Sequence, residues 1–206
     1  TNMLINGVNS CQAIDDATKK TYIAEARFLR GIYYFHALVA WGKVPLILED
    51  TPMEIAETLG RSDTSLVWQQ IISDMTFATE NCVDNFGKVK SRGTKWSALA
   101  LLSRMCLYRH QFSKAAEAAK MVIESKKYSL MLNFADVFLE QNEQGPEVVF
   151  STEFLTSVYT SSYASFFTAR ADKEPSTTPG ITWNGWGSNA VGSLLPGMFE
   201  PNDLRK

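Results

Sequence analysis

The sequence predicts a mostly α fold of paired helices, with a loop-rich C-terminal segment and little β structure. Apolar residues recur at steps of three and four through most of residues 3–126, which is the spacing of helices that bury one or more faces. Residues 172–192 have no such period and are rich in Pro, Gly, Thr and Asn, which is loop composition. Only residues 147–154 have the composition of a strand. We therefore assign residues 1–127 to a helical core and residues 128–206 to a strand- and loop-containing segment of the same domain.

The bulk composition excludes several classes of function. The chain has 206 residues, 45% of them hydrophobic, so it can bury a core as one or two domains. Twenty basic and 22 acidic residues give a net charge of -2, which provides no basic surface for nucleic acid or anionic lipid. No apolar run approaches the roughly 20 residues that a membrane span needs. Residues 1–11 do not have the pattern of a secretion signal, so any signal or lipidated cysteine would lie outside this sequence.

A long helix is predicted over residues 21–41, after a short helical segment at residues 3–14. The long helix has two apolar stripes, which predicts that neighbours cover it on both sides. Gly42 is expected to end it, and Pro45 cannot continue it. The stripes consist of Tyr22, Ala26, Leu29, Tyr33, Ala37 and Ala40, and of Phe28, Ile32, Phe35 and Val39.

A loop and a third helix follow. Residues 43–61 contain two prolines and are predicted to be a loop. Ser62 or Asp63 is expected to cap the next helix, and a turn-rich connection is predicted at residues 85–93. The apolar face of this helix consists of Trp68, Ile71, Ile72, Met75 and Ala78.

The next two helices are predicted to form a hairpin. The first begins near Thr94, and Ser113 is expected to cap the second. The unit of about 34 residues has the length of a tetratricopeptide repeat. Small Ser103 and Ala115 would let the helices approach closely, and Phe112 would fill the gap near the turn. The inward residues are Trp96, Leu99, Ala100, Ser103 and Cys106, then Ala115, Ala119, Val122 and Ile123. We therefore predict tetratricopeptide-like helical hairpins, but not a long regular solenoid.

Residues 25–50, EARFLRGIYYFHALVAWGKVPLILED, contain an acidic residue, Ala-Arg-Phe-Leu-Arg, an aromatic run and Gly-x-Val-Pro-Leu. This block resembles the signature of the SusD/RagB family, the outer-membrane nutrient-binding lipoproteins of Bacteroidetes-type bacteria. Residues 92–104 and 147–150 match further family patterns in part. The Phe and Asp-x-Arg of residues 199–205 resemble a pattern that marks roughly the middle of family members. We therefore expect a partial-length chain that covers the N-terminal and middle portion.

The resemblance implies a function without chemistry. Family members lie on the outer face of the outer membrane, where they cover a SusC-like TonB-dependent transporter. They capture oligosaccharides, or in some members peptides, and deliver them. The implied partners are therefore this transporter and an oligosaccharide, the implied location is the cell surface, and a lipid anchor outside this sequence is the only expected membrane contact. Two alternatives stay open: a tetratricopeptide-type scaffold that binds a protein segment, and a glycan-active enzyme.

No pattern in the sequence predicts catalysis, a metal or a cofactor. His36 and His110 each stand alone on a helix, and the three cysteines lack metal or redox spacing. Cys106 lies among apolar residues and is expected to be a small buried hydrophobe. Glycoside hydrolysis needs two convergent carboxylates, and Glu147 and Glu153 on either side of a predicted strand do not select such a pair. The sequence therefore predicts a protein that is not an enzyme.

Arg27 and Arg30, with Glu25, form a charged cluster on the long helix. The resemblance implies that this cluster is structural. Its guanidinium groups would be buried or half-buried and would tie the helix to a loop through carboxylates and carbonyls. Three tryptophans on helical apolar faces are predicted to be core residues: Trp41, Trp68 and Trp96.

Two other tryptophans are predicted to contact the ligand. Trp183 and Trp186 lie in ITWNGWGSN, where glycines and asparagines make burial of both indoles unfavourable. Sugar C–H faces stack on aromatic rings, and the amides of Asn184 and Asn189 can bond to hydroxyl groups. The alternative is that one indole anchors its loop or contacts the transporter.

Overall fold

The computed structural model describes residues 1–153 and 200–201, and the prediction of a mostly α fold is confirmed. The helices are α1 (Asn2–Ser10), α2 (Asp16–Trp41), α3 (Met53–Ala56), α4 (Thr64–Asn81), α5 (Lys95–Tyr108) and α6 (Phe112–Glu124). Two short 3-10 helices follow at Phe134–Phe138 and Glu140–Asn142. Residues Thr1–Thr152 form one compact unit. No strand occurs in the part of the chain that the structure describes.

The four long helices form two hairpins. Helix α2 packs along α4, α5 packs along α6, and α4 contacts α5 between the hairpins. Helix α1 lies against α2. The tetratricopeptide-like pairing of α5 and α6 was predicted, whereas the pairing of α2 with α4 was not specified by any repeat in the sequence. The main core consists of Ala24, Phe28, Phe35, Leu38, Val67, Trp68, Ile71, Met75, Ala78, Cys82, Ala98 and Met105.

Helix α2 ends at Trp41 as predicted, but it begins at Asp16, five residues before the predicted start. Asp15 caps it, because its Oδ1 accepts hydrogen bonds from the backbone N–H groups of Ala17 at 3.0 Å and Thr18 at 2.9 Å. The first turn is polar, so apolar spacing did not indicate it. At the other end, Gly42 takes a φ of 69°, which glycine adopts without strain. Helix α1 likewise differs from its prediction, ending at Ser10 instead of residue 14.

The prediction that α2 is covered on both sides holds only in part. Phe28 and Phe35 are buried against α4. Tyr33 and Val39 are exposed, and Trp41 is 74% exposed, so the core assignment of Trp41 is wrong. The reason is the length of α1, which has nine residues. Its Ile5 and Val8 cover only the N-terminal half of α2, at Ile23 and Ala26.

Helix α4 has the predicted cap and the predicted buried face. Asp63 accepts a hydrogen bond of 2.8 Å from the backbone N–H of Ser65. Trp68 is buried, as expected, together with Ile71, Met75 and Ala78. Ser62, the alternative cap, instead accepts a bond of 3.2 Å from the backbone N–H of Leu46, and so holds the preceding loop.

The α5–α6 hairpin is closely packed, as predicted, because the Ser103 hydroxyl donates a hydrogen bond of 2.7 Å to the Ala115 carbonyl. Thr94 caps α5 in a reciprocal arrangement with Ser97. Three predictions for α6 are wrong. The helix begins at Phe112 without a Ser113 cap, Phe112 is 60% exposed and does not fill the gap, and Ile123 is 74% exposed. The buried face of α6 consists of Ala115 and Ala118. Two alanines let the helices approach so closely that the larger side chains stay outside.

The predicted strand at residues 147–154 is wrong for residues 147–153, which include a turn and two bends but no strand. A strand needs a ladder of backbone hydrogen bonds to a partner. Among the described residues, the Ser151 N–H makes a single such bond to a distant segment, at the Lys90 carbonyl, 3.1 Å away. Phe150 packs instead edge-on against Phe28, with ring centroids 5.0 Å apart. Residue 154 and the predicted loop at residues 172–192 lie outside the described residues.

Candidate functional site

The four residues predicted to contact a ligand, Trp183, Asn184, Trp186 and Asn189, lie outside the described residues and stay a prediction. The described part contains the charged cluster of α2, several surface cavities and the cysteines. The geometry of each feature indicates whether it can bind a ligand or whether it stabilises the fold.

Arg30 and Asp74 form the polar centre of the first hairpin. Arg30 Nε lies 2.7 Å from Asp74 Oδ2, and Arg30 Nη2 lies 2.7 Å from Asp74 Oδ1, which is a two-point ion pair. Both side chains are buried, and the Gln70 amide donates a further bond of 2.9 Å to Asp74 Oδ1. The buried carboxylate therefore has partners on both oxygens.

The same guanidinium fixes the loop that follows α2. Arg30 Nη1 donates to the Asn2 side-chain oxygen at 3.0 Å and to the Leu48 carbonyl at 3.4 Å. The Asn2 amide bonds to the Ile47 carbonyl at 2.9 Å, and the Tyr34 hydroxyl bonds to the N–H and C=O of Ile47. One buried cation thus joins α1, α2, α4 and this loop, which confirms the structural role expected of Arg30.

Arg27 and Glu25 have separate surroundings. The Arg27 guanidinium lies 4.2 Å from the centre of the Phe77 ring, and its Nε is 4.0 Å from Asp74 Oδ1. Glu25 instead forms a two-point pair with Arg92, at 2.6 and 3.0 Å, which raises the pKa of Arg92. The Arg92 guanidinium also lies 3.7 Å from the centre of the Phe86 ring. Glu25 therefore ties α2 to the segment before α5.

Sequence reasoning missed the partners of these arginines. Asp74 lies among the buried residues of α4, between Ile71 and Met75, and Ala78 continues that face. A carboxylate on a buried helical face needs a cation or hydrogen bonds, because an unpaired charge is costly to bury. That position was the signal that could have identified the Arg30 partner. Asn2 gave no comparable signal.

The surface cavities beside α2 are mainly apolar. A cavity of about 610 Å³ between α1 and α2 is lined by Met3, Leu4, Gly7, Val8, Cys11, Ile14 and Tyr22. Such a lining suits apolar surface and offers little hydrogen bonding to a polyhydroxyl ligand. A second cavity, of about 330 Å³, adjoins Arg30, Asn2 and Tyr34, whose polar atoms already bond to protein groups. Neither cavity is assigned to a glycan.

Two of the three cysteines, Cys82 and Cys106, are held as neutral thiols. Cys11, Cys82 and Cys106 are free thiols. Burial raises the pKa of Cys82 to about 12, with the nearby Glu25 charge adding to the effect, and burial also raises the pKa of Cys106. A thiol held in its neutral form is a poor nucleophile and a poor metal ligand. Within residues 1–153, no group of three or more His, Cys, Asp or Glu side chains is arranged to hold a metal ion.

Trp96, the third tryptophan predicted to lie in the core, is half-buried at the start of α5.

Each of the two histidines lies beside an aromatic ring. The ring centroids are 5.8 Å apart for His36 and Phe35, and 5.7 Å apart for His110 and Phe112. Among the described helices, none has both the length and the apolar character to cross a bilayer.

A family model covers half of the chain. Residues 1–107 match the SusD-like family described as "Starch-binding associating with outer membrane". A SusD-like protein of Bacteroides ovatus is 30% identical over an alignment of 172 positions, gaps included, that covers 75% of this chain and 30% of that protein. A SusD-like protein of Formosa agariphila is 23% identical over an alignment of 238 positions, gaps included, that covers 100% of this chain and 45% of that protein. The chain thus spans less than half the length of these curated relatives.

Solved structures share the fold. A crystal structure with xylogluco-oligosaccharide is 28% identical with a TM-score of 0.65, over 75% of this chain and 32% of that one. A laminarin-binding SusD-like protein is 26% identical with a TM-score of 0.66, over 72% of this chain and 34% of that one. A SusD superfamily protein of Bacteroides vulgatus, 21% identical, has a TM-score of 0.70 over 84% of this chain and 37% of its own, and supports the fold alone.

Proposed function

The chain belongs to the SusD-like family, and from this we propose that it takes part in capturing an oligosaccharide at the outer membrane without changing it chemically. The captured glycan would pass to a SusC-like TonB-dependent transporter. The protein would lie on the cell surface, held by a lipid anchor outside the present sequence. Binding by stacking and hydrogen bonds is sufficient for this role, because delivery requires release of an intact ligand.

One observation carries the proposal. The helical scaffold of this chain is similar, at 28% identity and a TM-score of 0.65, to a protein crystallised with xylogluco-oligosaccharide. A second protein of similar fold, at 26% identity and a TM-score of 0.66, is described as laminarin-binding. The polar groups of the described part agree with a role in holding the fold, because Arg30 pairs with Asp74 between α2 and α4, and Glu25 pairs with Arg92 between α2 and the segment before α5.

The proposed glycan contacts are Trp183 and Trp186, with hydrogen bonds from Asn184 and Asn189. An indole face matches the C–H face of a pyranose ring. Asparagine amides supply both a donor and an acceptor for neighbouring hydroxyl groups. In this arrangement the indoles would contact the face of a sugar ring, and the asparagine amides would bond to the hydroxyl groups at its edge.

The test is a binding panel with product analysis. The full chain is titrated calorimetrically with three neutral glycans (maltohexaose, a xyloglucan heptasaccharide and laminarihexaose) and two acidic ones (an oligogalacturonate and a κ-carrageenan oligosaccharide), and the sugars are recovered and sized afterwards. We expect heat of binding with one glycan class and recovery at the original length. Shortened sugars would favour the enzyme alternative. Absence of binding across the glycan panel, together with capture of an extended peptide, would favour the protein-binding scaffold.

A further inference from the structure

Three lysines surround two aromatic rings near the start of α5. The Lys95 and Lys127 ammonium groups lie 5.2 and 5.4 Å from the centre of the Trp96 ring, and the Lys90 ammonium lies 5.2 Å from the centre of the Tyr128 ring. These five residues are referred to as the lysine–aromatic cluster. The distances are those of cation–π contacts, so the rings hold the lysine side chains in place.

The cluster is assembled from three separate segments. Lys90 lies in the connection before α5, Lys95 and Trp96 open α5, and Lys127 and Tyr128 follow α6. Both rings are half-buried. Burial raises the pKa of Tyr128, although the Thr94 side chain and Lys127 act in the opposite direction. The cluster therefore rests on a packed part of the hairpin, which fixes where its charges lie.

Within the described residues, one carboxylate pairs with the lysines of the cluster. Lys127 donates a hydrogen bond of 2.8 Å to Asp84, and this bond lowers the pKa of Asp84. Among the ion pairs of residues 1–152, none joins a carboxylate to the ammonium of Lys90 or Lys95. In this part of the chain the three cations therefore have one ion-pair partner, Asp84.

Helix stability does not explain this arrangement. The positive end of a helix dipole lies at its N-terminus, where acidic side chains stabilise and basic ones do not. The first turn of α5 has no acidic residue, and Lys95 is its first residue. The helix end therefore adds to the positive potential around the lysines.

We propose that the lysine–aromatic cluster binds the acidic group, a carboxylate or a sulfate ester, of an anionic oligosaccharide. This inference rests on the proposed function and narrows the ligand to acidic glycans. Ammonium groups are compact charges with three donors each, which suit the oxygens of an acidic sugar substituent. The aromatic rings beside them offer apolar surface to the sugar C–H groups. A neutral glycan gains no charge attraction at this place.

The experiment compares charge variants that leave the fold intact. The full chain is titrated with an oligogalacturonate, which carries carboxylates, with a κ-carrageenan oligosaccharide, which carries sulfates, and with maltohexaose, xyloglucan and laminarin oligosaccharides as neutral probes. The double variant Lys90→Gln/Lys95→Gln is compared with Lys20→Gln/Lys114→Gln, which removes two exposed lysines elsewhere. Circular dichroism melting establishes that each variant is folded.

We expect an acidic probe to bind the wild-type chain and to lose about fivefold to tenfold in affinity in Lys90→Gln/Lys95→Gln, since each exposed charge contact contributes modestly. The control double variant should keep its affinity to within about twofold. Raising the salt concentration should reduce the difference in affinity between the wild type and Lys90→Gln/Lys95→Gln, because salt screens exposed charges.

Asp84→Asn should bind the acidic probe more tightly than the wild type. A purely structural role for these residues does not predict this result. Its control is Glu80→Gln, which removes an exposed charge from α4.

Four results would overturn the inference, and the last of them would overturn the proposed function too. Equal loss in both double variants would show a general charge effect. Binding of neutral but not acidic probes would retain the proposed glycan capture and remove the acidic specificity. Binding to vesicles that contain phosphatidylglycerol, with the same lysine dependence and no binding of either acidic glycan, would assign the cluster to a lipid surface. If no glycan of any kind binds, the proposed function fails as well.

Discussion

Arg30 on α2 and Asp74 on α4 form a two-point ion pair inside the first hairpin, with both contacts at 2.7 Å. The pair sits where α1 and the loop after α2 also meet, because Arg30 Nη1 bonds to Asn2 and to the Leu48 carbonyl. Burying a charge is costly unless it is paired and hydrogen-bonded. The pair therefore fixes the relative positions of α1, α2, α4 and the loop after α2. Removing either partner leaves the other charge buried without its ion-pair partner.

Replacing Arg30 with Met should lower the free energy of unfolding by roughly 2 to 4 kcal/mol, because Asp74 loses both contacts while it stays buried. Urea unfolding followed by circular dichroism measures the loss. Arg104→Met is the matched control, since Arg104 is exposed on α5. Equal stability of the two variants, or loss of glycan binding without loss of stability, would contradict the structural role.

Replacing Gly93 with Ala should destabilise the chain by about 1 to 3 kcal/mol through overpacking. A Cβ at this position would lie 2.6 Å from Cδ1 of Phe28. Phe28 is fully buried and has Phe150 against its ring, so it has little room to move. Gly7→Ala is the control, because no atom lies within 4 Å of its Cβ position and alanine favours the α1 helix. Thermal melting should show opposite shifts for the two variants, and a similar shift for both would rule out the steric explanation.

The stability of the chain should fall in acid partly through its two aspartate helix caps. Hydrogen bonds hold the pKa values of Asp15 and Asp63 below the ordinary value of 3.8 in the folded chain, through Thr18 and Ser65 respectively. A group with a lowered folded pKa contributes stability that is complete above its unfolded pKa and is lost as the pH falls through the folded pKa.

We therefore expect the variant Asp15→Asn/Asp63→Asn to keep its caps and to lose less stability than the wild type as the pH falls from about 5 to 3, since asparagine caps helices without titrating. Melting temperatures of both proteins across this range make the comparison. A difference between them that does not change with pH would show that these carboxylates are not linked to acid unfolding.

Cys82 should react with iodoacetamide far more slowly than Cys11. A pKa of about 12 leaves about a thousandfold less thiolate than the usual value of 9 at neutral pH, and Cys82 is also buried. Site-resolved mass spectrometry follows the labelling of both residues in the folded chain, and again in urea. The two rates should become similar in urea. Fast labelling of Cys82 without denaturant would mean that this part of α4 opens readily.

The sequence could predict those features of the fold that depend on local chemistry. Periodicity identified α2, α4 and α5, cap chemistry gave Ser62 or Asp63 as the cap of α4, and the start of α5 was placed near Thr94. Periodicity shows which residues share a face but not whether a neighbour reaches it. Trp41 is exposed because α1 does not reach the C-terminal end of α2. Phe112 is exposed because the buried contact between α5 and α6 is made by Ala115 and Ala118 of α6.

The partners of the charged residues were harder to predict, because they depend on contacts between distant segments. Arg30 and Asp74 are 44 positions apart, and Arg92 and Glu25 are 67 apart. The composition of residues 147–153 favours a strand, but no other segment of the described residues pairs with them as a strand, and Phe150 packs against Phe28 of the core instead. The ligand contacts at Trp183 and Trp186 remain a prediction from composition and resemblance.

The two tryptophans of the predicted loop should matter for glycan binding in a way that an exposed tryptophan elsewhere does not. Trp183→Ala and Trp186→Ala should each weaken binding of the oligosaccharide that the panel identifies by about 0.5 to 1.5 kcal/mol from stacking alone, and by more if burial of the ring is also lost. Trp41→Ala is the control, because Trp41 is 74% exposed on α2 and its removal should cost little stability. Calorimetric titration of all three variants against the same glycan separates a stacking contact from a general loss of surface aromatics.

Unchanged affinity in both Trp183→Ala and Trp186→Ala would mean that these indoles pack against the protein or contact the transporter. Equal weakening by Trp41→Ala would place a stacking contact on the helical surface as well, and the assignment to residues 183–189 would then lose its specificity.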